Sequence, residues 1–147
     1  MSSDEYKALA REVMERVFNQ GDLSLVETYF DPNGVDYQEP PGTPIIPHVK
    51  QVVQTLHTAF PDLHFEMHDI IAEDDLVSFR ATMTGTHTGP LNYGMPGGLP
   101  ATGRKISVAH MYFVRFVDGK NTDLWHVWDV AGMLRQLGVM PPQRQSA

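Results

Sequence analysis

The hydrophobic positions change period once along the chain. Up to about residue 60 they recur at helical spacing. Tyr6, Leu9, Ala10, Val13, Met14, Val17 and Phe18 fall on one face of a helix that Ser3 or Asp4 starts and Gly21 ends. Asp22 caps a shorter helix whose inner side is Leu23, Val26, Tyr29 and Phe30. Asp31-Pro32-Asn33-Gly34 reads as a turn, residues 35–38 as a short strand, and residues 40–47 as rigid irregular chain. A third helix turns Val49, Val52, Val53, Leu56 and Phe60 inward and stops at Pro61.

From Leu63 the period is two. Leu63, Phe65 and Met67 alternate with His64, Glu66 and His68, as in a strand with one wet face. Glu73-Asp74-Asp75 turns the chain into a second strand, residues 76–87, where Phe79, Ala81 and Met83 oppose Arg80, Thr82 and Thr84. Residues 89–103, rich in Gly and Pro, are too long for a tight hairpin and read as a lid or rim loop. Residues 106–116 and 122–129 form a hairpin about Asp118-Gly119, and residues 130–138 a short closing helix. Helices first and antiparallel strands after them predict one α+β domain over residues 1–147.

Composition narrows what such a domain can do. It carries 11 Lys and Arg against 18 Asp and Glu, a formal net charge of -7. The basic residues are scattered, so neither nucleic acid nor an anionic membrane is an expected partner. Cysteine is absent, which excludes a disulfide frame and a cysteine-based zinc site. No basic start leads into an apolar run and no apolar stretch is long enough for a bilayer, so a cytoplasmic location is expected.

The last predicted strand ends Trp125-His126-Val127-Trp128-Asp129, and its aspartate is the leading catalytic candidate. In an apolar interior, desolvation raises an Asp from its usual pKa of about 3.9 and makes it a usable base for a carbon acid alpha to a carbonyl. With a two-residue turn at Asp118-Gly119, Val117 pairs with Lys120, Val108 with Asp129, His110 with Val127 and Tyr112 with Trp125. That ladder puts His110, Tyr112, Asp123, Trp125 and Asp129 on one face, with His110 and Asp129 as diagonal neighbours. A single bulge reverses the parity. His110 or Tyr112 then donates to the enolate oxygen, and no metal or cofactor is required where the substrate's own conjugation spreads the charge.

The same residues have plainer uses. Asp129 suits a helix cap, His110 a satisfied core position, Trp125 and Trp128 packing, and Asp123 a solvated strand edge. His64, Glu66 and His68 imitate a two-histidine, one-carboxylate metal site but belong to a wet face. His87, where a strand meets the long loop, stands between a pocket mouth and an ordinary loop position. Residues 94–98 are Gly-rich but open no helix, which argues against a phosphate loop, and no Ser-centred nucleophile motif is present.

Phe60-Pro61-Asp62-Leu63-His64-Phe65, Gly85-Thr86-His87-Thr88-Gly89, Thr102-Gly103-Arg104 and the run from Trp125 through Asp129 to Met133-Leu134-Arg135-Gln136-Leu137-Gly138 resemble the SnoaL-like polyketide cyclase family of the nuclear-transport-factor-2-like superfamily. With the N-terminal helix pair, the resemblance spans nearly the whole chain. It implies a cone-shaped fold in which a curved antiparallel sheet and three N-terminal helices surround one deep pocket. It also implies a homodimer or larger assembly built through sheets. The implied activity is a cofactor-free aldol ring closure of a polyketide-like substrate in secondary metabolism, such as antibiotic biosynthesis, with Asp129 as general acid/base and His110 as its polar neighbour. Around these two, Tyr112, Trp125, Tyr37, Phe60, Phe79, Met83, His87 and Met95 are expected to hold the apolar substrate. Residues 90–101 look longer than the usual connection in the family, and a longer rim alters pocket shape.

Three other activities fit the same pocket. A pericyclic closure needs only apolar walls that hold a flexible chain in its reactive shape. An epoxide hydrolase or isomerase needs Asp129 and a second polar residue, such as Arg80 or Asp123. A non-catalytic binder of apolar small molecules needs neither.

Overall fold

A computed structural model of the protein describes residues 1–93 and 97–141. Helix α1, Ser3–Val13, starts at Ser2, whose hydroxyl accepts from the Glu5 N–H while the Glu5 carboxylate accepts from the Ser2 N–H. It continues as a π-helical stretch, Met14–Asn19, which Gly21 ends at φ 70°, a conformation that glycine adopts without steric cost. The Asn19 amide then ties the helix to the sheet, donating to the Phe65 carbonyl and accepting from the Phe65 N–H. Asp22 caps a 3-10 turn, Leu23–Leu25, that leads into α2, Val26–Tyr29.

Two expectations in the next segment are corrected. Residues 31–34 lie inside strand β1, Phe30–Asp36. Their turn chemistry is present, since Asp31 accepts from the Asn33 N–H, but it makes a bulge in the strand instead of reversing it. Helix α3, Ile45–Ala59, begins two residues before Pro47, within the segment expected to be irregular. Proline is tolerated there because the first N–H groups of a helix have no intrahelical acceptor.

The remaining strands are β2, His64–Glu73; β3, Leu76–Thr86; β4, Lys105–Val117; and β5, Lys120–Trp128; helix α4, Val130–Gln136, follows. The sheet order is β1-β5-β4-β3-β2. Every neighbouring pair is antiparallel except β1 with β5, which is parallel, so the sheet is mixed. Bulges in three of its pairs curve it around the helices, and it remains unclosed. This is the α+β cone expected from the sequence. Among the described residues no helix is long and apolar enough to cross a membrane.

One bulge decides which side chains meet inside the cone. Asp118 and Gly119 take φ values of 51° and 76°, the geometry of a two-residue hairpin turn, and Val117 pairs with Lys120 as expected. Phe116 pairs with Asn121, and then Arg115 pairs with Asp123, which leaves Thr122 as an extra residue on β5. The Phe116 N–H turns aside to the Asp75 carbonyl at 3.0 Å, while Phe116 and Asn121 both stay buried. Beyond this point His110 faces Trp128 and Tyr112 faces His126, in place of Val127 and Trp125. Leu124, His126 and Trp128 turn inward, and Asp123, Trp125 and Val127 turn out.

Candidate active site

A cavity of about 460 Å³ lies between α3 and the inner faces of β1, β4 and β5. Its apolar walls include Val49, Val52 and Leu56 of α3, with Phe18 and Phe65 closing one side. Charge is concentrated at one end. Asp36, the last residue of β1, is only 7% exposed and points inward between the exposed side chains of Val35 and Tyr37. Its Oδ1 accepts from the Gln38 N–H at 3.0 Å. Its Oδ2 accepts from Nε2 of His126 at 3.1 Å, with Nε2 of His48 at 3.6 Å. The His48 nitrogen is also 3.2 Å from Glu39 Oε1. Burial by itself would raise the Asp36 pKa, but the bond from His126, its charge, the Gln38 N–H and His48 together hold it below the ordinary carboxylate range.

A ladder of rings runs from this end along β4 and β5. His126 stacks on Tyr112, Tyr112 on His110, and His110 on Trp128, with centroids 5.8, 5.8 and 5.2 Å apart. The Tyr112 hydroxyl lies 3.0 Å from Nδ1 of His110. Burial, and then the Asp36 charge, push the Tyr112 pKa up, so the hydroxyl keeps its hydrogen and donates. Burial, and then His126, bring His110 down from 6.5 to about 3, so its imidazole is neutral at physiological pH. Nδ1 is thus the acceptor and Nε2 carries the hydrogen. That Nε2 is buried with no protein partner. An unpaired buried donor costs about 1–3 kcal/mol, which a ligand oxygen seated there would recover.

The long loop forms part of the rim. Leu91 and Leu99 bridge across it and are both buried, and Asn92 and Tyr93 line the cavity, with the Tyr93 ring 5.4 Å from that of Trp128. Gly89 anchors the loop against α3. A Cβ there would come within 2.0 Å of the Thr58 carbonyl oxygen, so only glycine permits the approach.

The profile of the SnoaL-like polyketide cyclase family matches residues 8–137. The chain belongs to this family. Among solved structures, AclR, a proposed hydroxylase from Streptomyces galilaeus, is 33% identical with a TM-score of 0.79, covering 98% of this chain and 91% of its own. IdmH, a proposed polyketide cyclase from Streptomyces antibioticus, is 31% identical with a TM-score of 0.67, covering 86% and 94%. TsrD from Streptomyces laurentii is 26% identical with a TM-score of 0.77, covering 91% and 98%. No curated protein matches the sequence.

Against that family background, several expected positions move. Asp129 does not face the cavity. It is exposed, its Oδ1 accepts from the Gly132 N–H at 2.8 Å, and it caps α4, because β5 ends one residue earlier at Trp128. Among the described residues, the carboxylates that line the cavity are Asp36 and Glu39. Trp125 and Tyr37 leave the pocket together. They stack on the outer face with centroids 4.8 Å apart, under the Arg115 guanidinium and beside Asp123, which accepts from the Tyr37 hydroxyl. The bulge at Thr122 is the cause for Trp125, and the inward turn of Asp36 is the cause for Tyr37.

Phe60 and Met83 are fully buried core; a Cβ on Gly85 would meet Phe60 at 2.8 Å, so the ring sits directly on the β3 backbone. Phe79 stacks behind Tyr112 at 4.7 Å, one layer below the cavity surface. His87 is also fully buried, away from the mouth. Its Nδ1 accepts from the Thr102 N–H and its ring lies against Phe60, where it pins the two ends of the long loop. Arg80 pairs with Asp69 in solvent, and Asp123 with Arg115 on the outer face, so neither reaches the cavity. His64 and Glu66 are exposed, and His68 bonds Thr82. Met95 lies outside the described residues. Of the expected site residues, His110 and Tyr112 line the cavity.

Sequence reasoning passed over Asp36, Glu39, His48, His126 and Tyr93. The signal for Asp36 was an aspartate between Val35 and Tyr37, two residues that hydrophobicity alone assigns to the interior. For His126 the signal was the spacing Leu124-His126-Trp128, a period-two set as regular as Asp123-Trp125-Val127.

Proposed function

We propose that the protein is a cofactor-free cyclase that closes a ring in a polyketide-like substrate, with His126 and Asp36 as its acid/base dyad. The observation that carries this reading is a buried, ionised Asp36 bonded to an imidazole within a largely apolar cavity. Asp36 accepts from Nε2 of His126, which leaves the lone pair of that ring on Nδ1. The carboxylate fixes the tautomer and stabilises the imidazolium, as in catalytic triads. His126 takes a proton from the carbon alpha to a carbonyl, and His110 Nε2–H donates to the enolate oxygen. The enolate carbon attacks a second carbonyl of the same chain, and the imidazolium returns its proton to the resulting alkoxide.

A linear aromatic poly-β-keto ester tests the reading, with products followed by mass spectrometry. Aldol closure leaves the mass unchanged or lowers it by one water. The similarity to AclR favours a second reading, a part in hydroxylation of the same substrate class by molecular oxygen, with a separate two-electron reductant added to the assay. That reaction adds one oxygen atom and releases the other as water. Loss of the closed product in both Asp36→Asn and His126→Phe is expected.

The sheet's outer face exposes Met111 at 58%, Phe113 at 49% and Val127 at 62%, and a second copy of the chain is its proposed occupant. Light scattering should give a dimer, and Phe113→Glu a monomer; an unchanged mass in the variant contradicts the assignment.

A further inference from the structure

We propose that the polar end of the cavity is also a divalent-metal site, formed by Asp36, Glu39, His48 and His126, for an ion of the zinc class. The four residues arrive from β1, the segment just after it, the start of α3, and β5. The ligand atoms of Asp36, Glu39 and His48 lie within 4.8 Å of one another. Asp36 Oδ2 is 3.1 Å from Nε2 of His126 and 3.6 Å from Nε2 of His48, and the latter is 3.2 Å from Glu39 Oε1. Tetrahedral ligands at bond lengths of about 2.0–2.1 Å stand about 3.3 Å apart. Asp36, Glu39 and His48 therefore lie near enough for side-chain adjustment to bring them onto one ion. His126, which is close to Asp36 but stands outside that mutually close set, joins as the fourth ligand by a larger swing of its ring.

Hydrogen bonding alone leaves this cluster incomplete. Nε2 of His48 carries at most one hydrogen, yet carboxylates of two different residues face it at 3.2 and 3.6 Å. Nε2 of His126 turns to the same Asp36 oxygen, so that oxygen is shared by two imidazole nitrogens while Glu39 faces one of them. A dication held between Asp36, Glu39 and His48, with His126 drawn in, satisfies these groups and balances both carboxylates. The buried Asp36 is already oriented for it, because Oδ1 is held by the Gln38 N–H and Oδ2 is the oxygen presented. Two nitrogens and two oxygens favour zinc, cobalt or nickel over magnesium or calcium, which take oxygen ligands.

The metal site shares residues with the proposed dyad and does not depend on it. When an ion is bound, Asp36 and His126 are ligands and are withdrawn from acid/base work, so metal should suppress ring closure.

Chelator-stripped protein, titrated at pH 7 with Zn²⁺ by calorimetry and with Co²⁺ by visible absorption, tests the site without any substrate. One ion per chain is expected, with a Co²⁺ spectrum of low coordination number. His48→Gln and Glu39→Gln should each weaken binding about tenfold or more, and His48→Ala/His126→Ala should abolish it. Binding that is equal in wild type and the double variant, or several weak ions per chain, overturns the assignment. If the double variant does not fold, the partly exposed Glu39→Gln decides alone, and unchanged Zn²⁺ affinity in it is the contrary result. Turnover in chelator separates the two readings. Closure by metal-free wild type that Asp36→Asn loses supports the dyad whatever the titration gives, and metal binding with no closure leaves the site standing without the dyad.

Discussion

Nε2 of His126 and Oδ2 of Asp36 meet at 3.1 Å across the parallel pair of the sheet. The two residues are 90 positions apart, and two local events bring them together. The bulge at Thr122 turns His126 inward, and the parallel register sets Asp36 beside Leu124, so both polar groups enter the same end of the cavity. Without the bulge, Trp125 would occupy the inner face and Asp36 would lack its bond from His126.

Asp129 should behave as a cap. Asp129→Ala is expected to cost about 1 kcal/mol of stability in urea unfolding while ring closure stays near the wild-type rate. Gly132→Ala should reproduce the loss, because a Cβ there would meet the Asp129 carboxylate at 2.1 Å. A fall in turnover from Asp129→Ala larger than its loss of folded protein would return this residue to the chemistry.

The two tryptophans report the register directly. Trp128 lines the cavity and Trp125 stacks on Tyr37 outside it. An apolar ligand that fills the cavity should change the fluorescence of Trp125→Phe and leave that of Trp128→Phe nearly unchanged. The reverse pattern would restore the unbulged ladder.

Most of the fold was legible from periodicity, because burial of an amphipathic face determines where helices and strands form. The helix ends at Gly21 and Pro61, the alternation through Phe79, Ala81 and Met83, and the Asp118-Gly119 turn were all read this way. The site was harder for a physical reason. A strand's two faces differ by one residue, so the single extra residue at Thr122 exchanged Trp125 for His126. Nothing local in Asn121-Thr122-Asp123 announces that bulge; it follows from the Phe116 N–H finding the Asp75 carbonyl of a distant turn. Asp36 was hidden by the rule that places hydrophobic residues inside, which fails where a pocket needs a charge.

Stability should fall with acid, and His110 should carry a definable part of the fall. Its folded pKa of about 3 lies below the ordinary 6.5, so between these values the unfolded chain binds a proton that the folded protein refuses. Stability therefore drops as pH falls through that window, by about 2 kcal/mol between pH 7 and pH 5 from this group. Asp36, lowered by its partners, adds a loss only below the ordinary carboxylate range, as protonation breaks its bond to His126. Urea unfolding of His110→Phe at the two pH values should show a pH dependence about 2 kcal/mol smaller than wild type. An identical dependence would contradict the burial of a neutral His110.

The most direct measurement is the ring-closure rate of Asp36→Asn on the substrate that wild type converts, beside its melting temperature. The substitution keeps shape and removes the charge that orients and supports His126. The expected result is a folded protein with turnover reduced about 100-fold or more. A folded Asp36→Asn that closes the ring at the wild-type rate would contradict the dyad and leave the cavity as a shaping or binding surface.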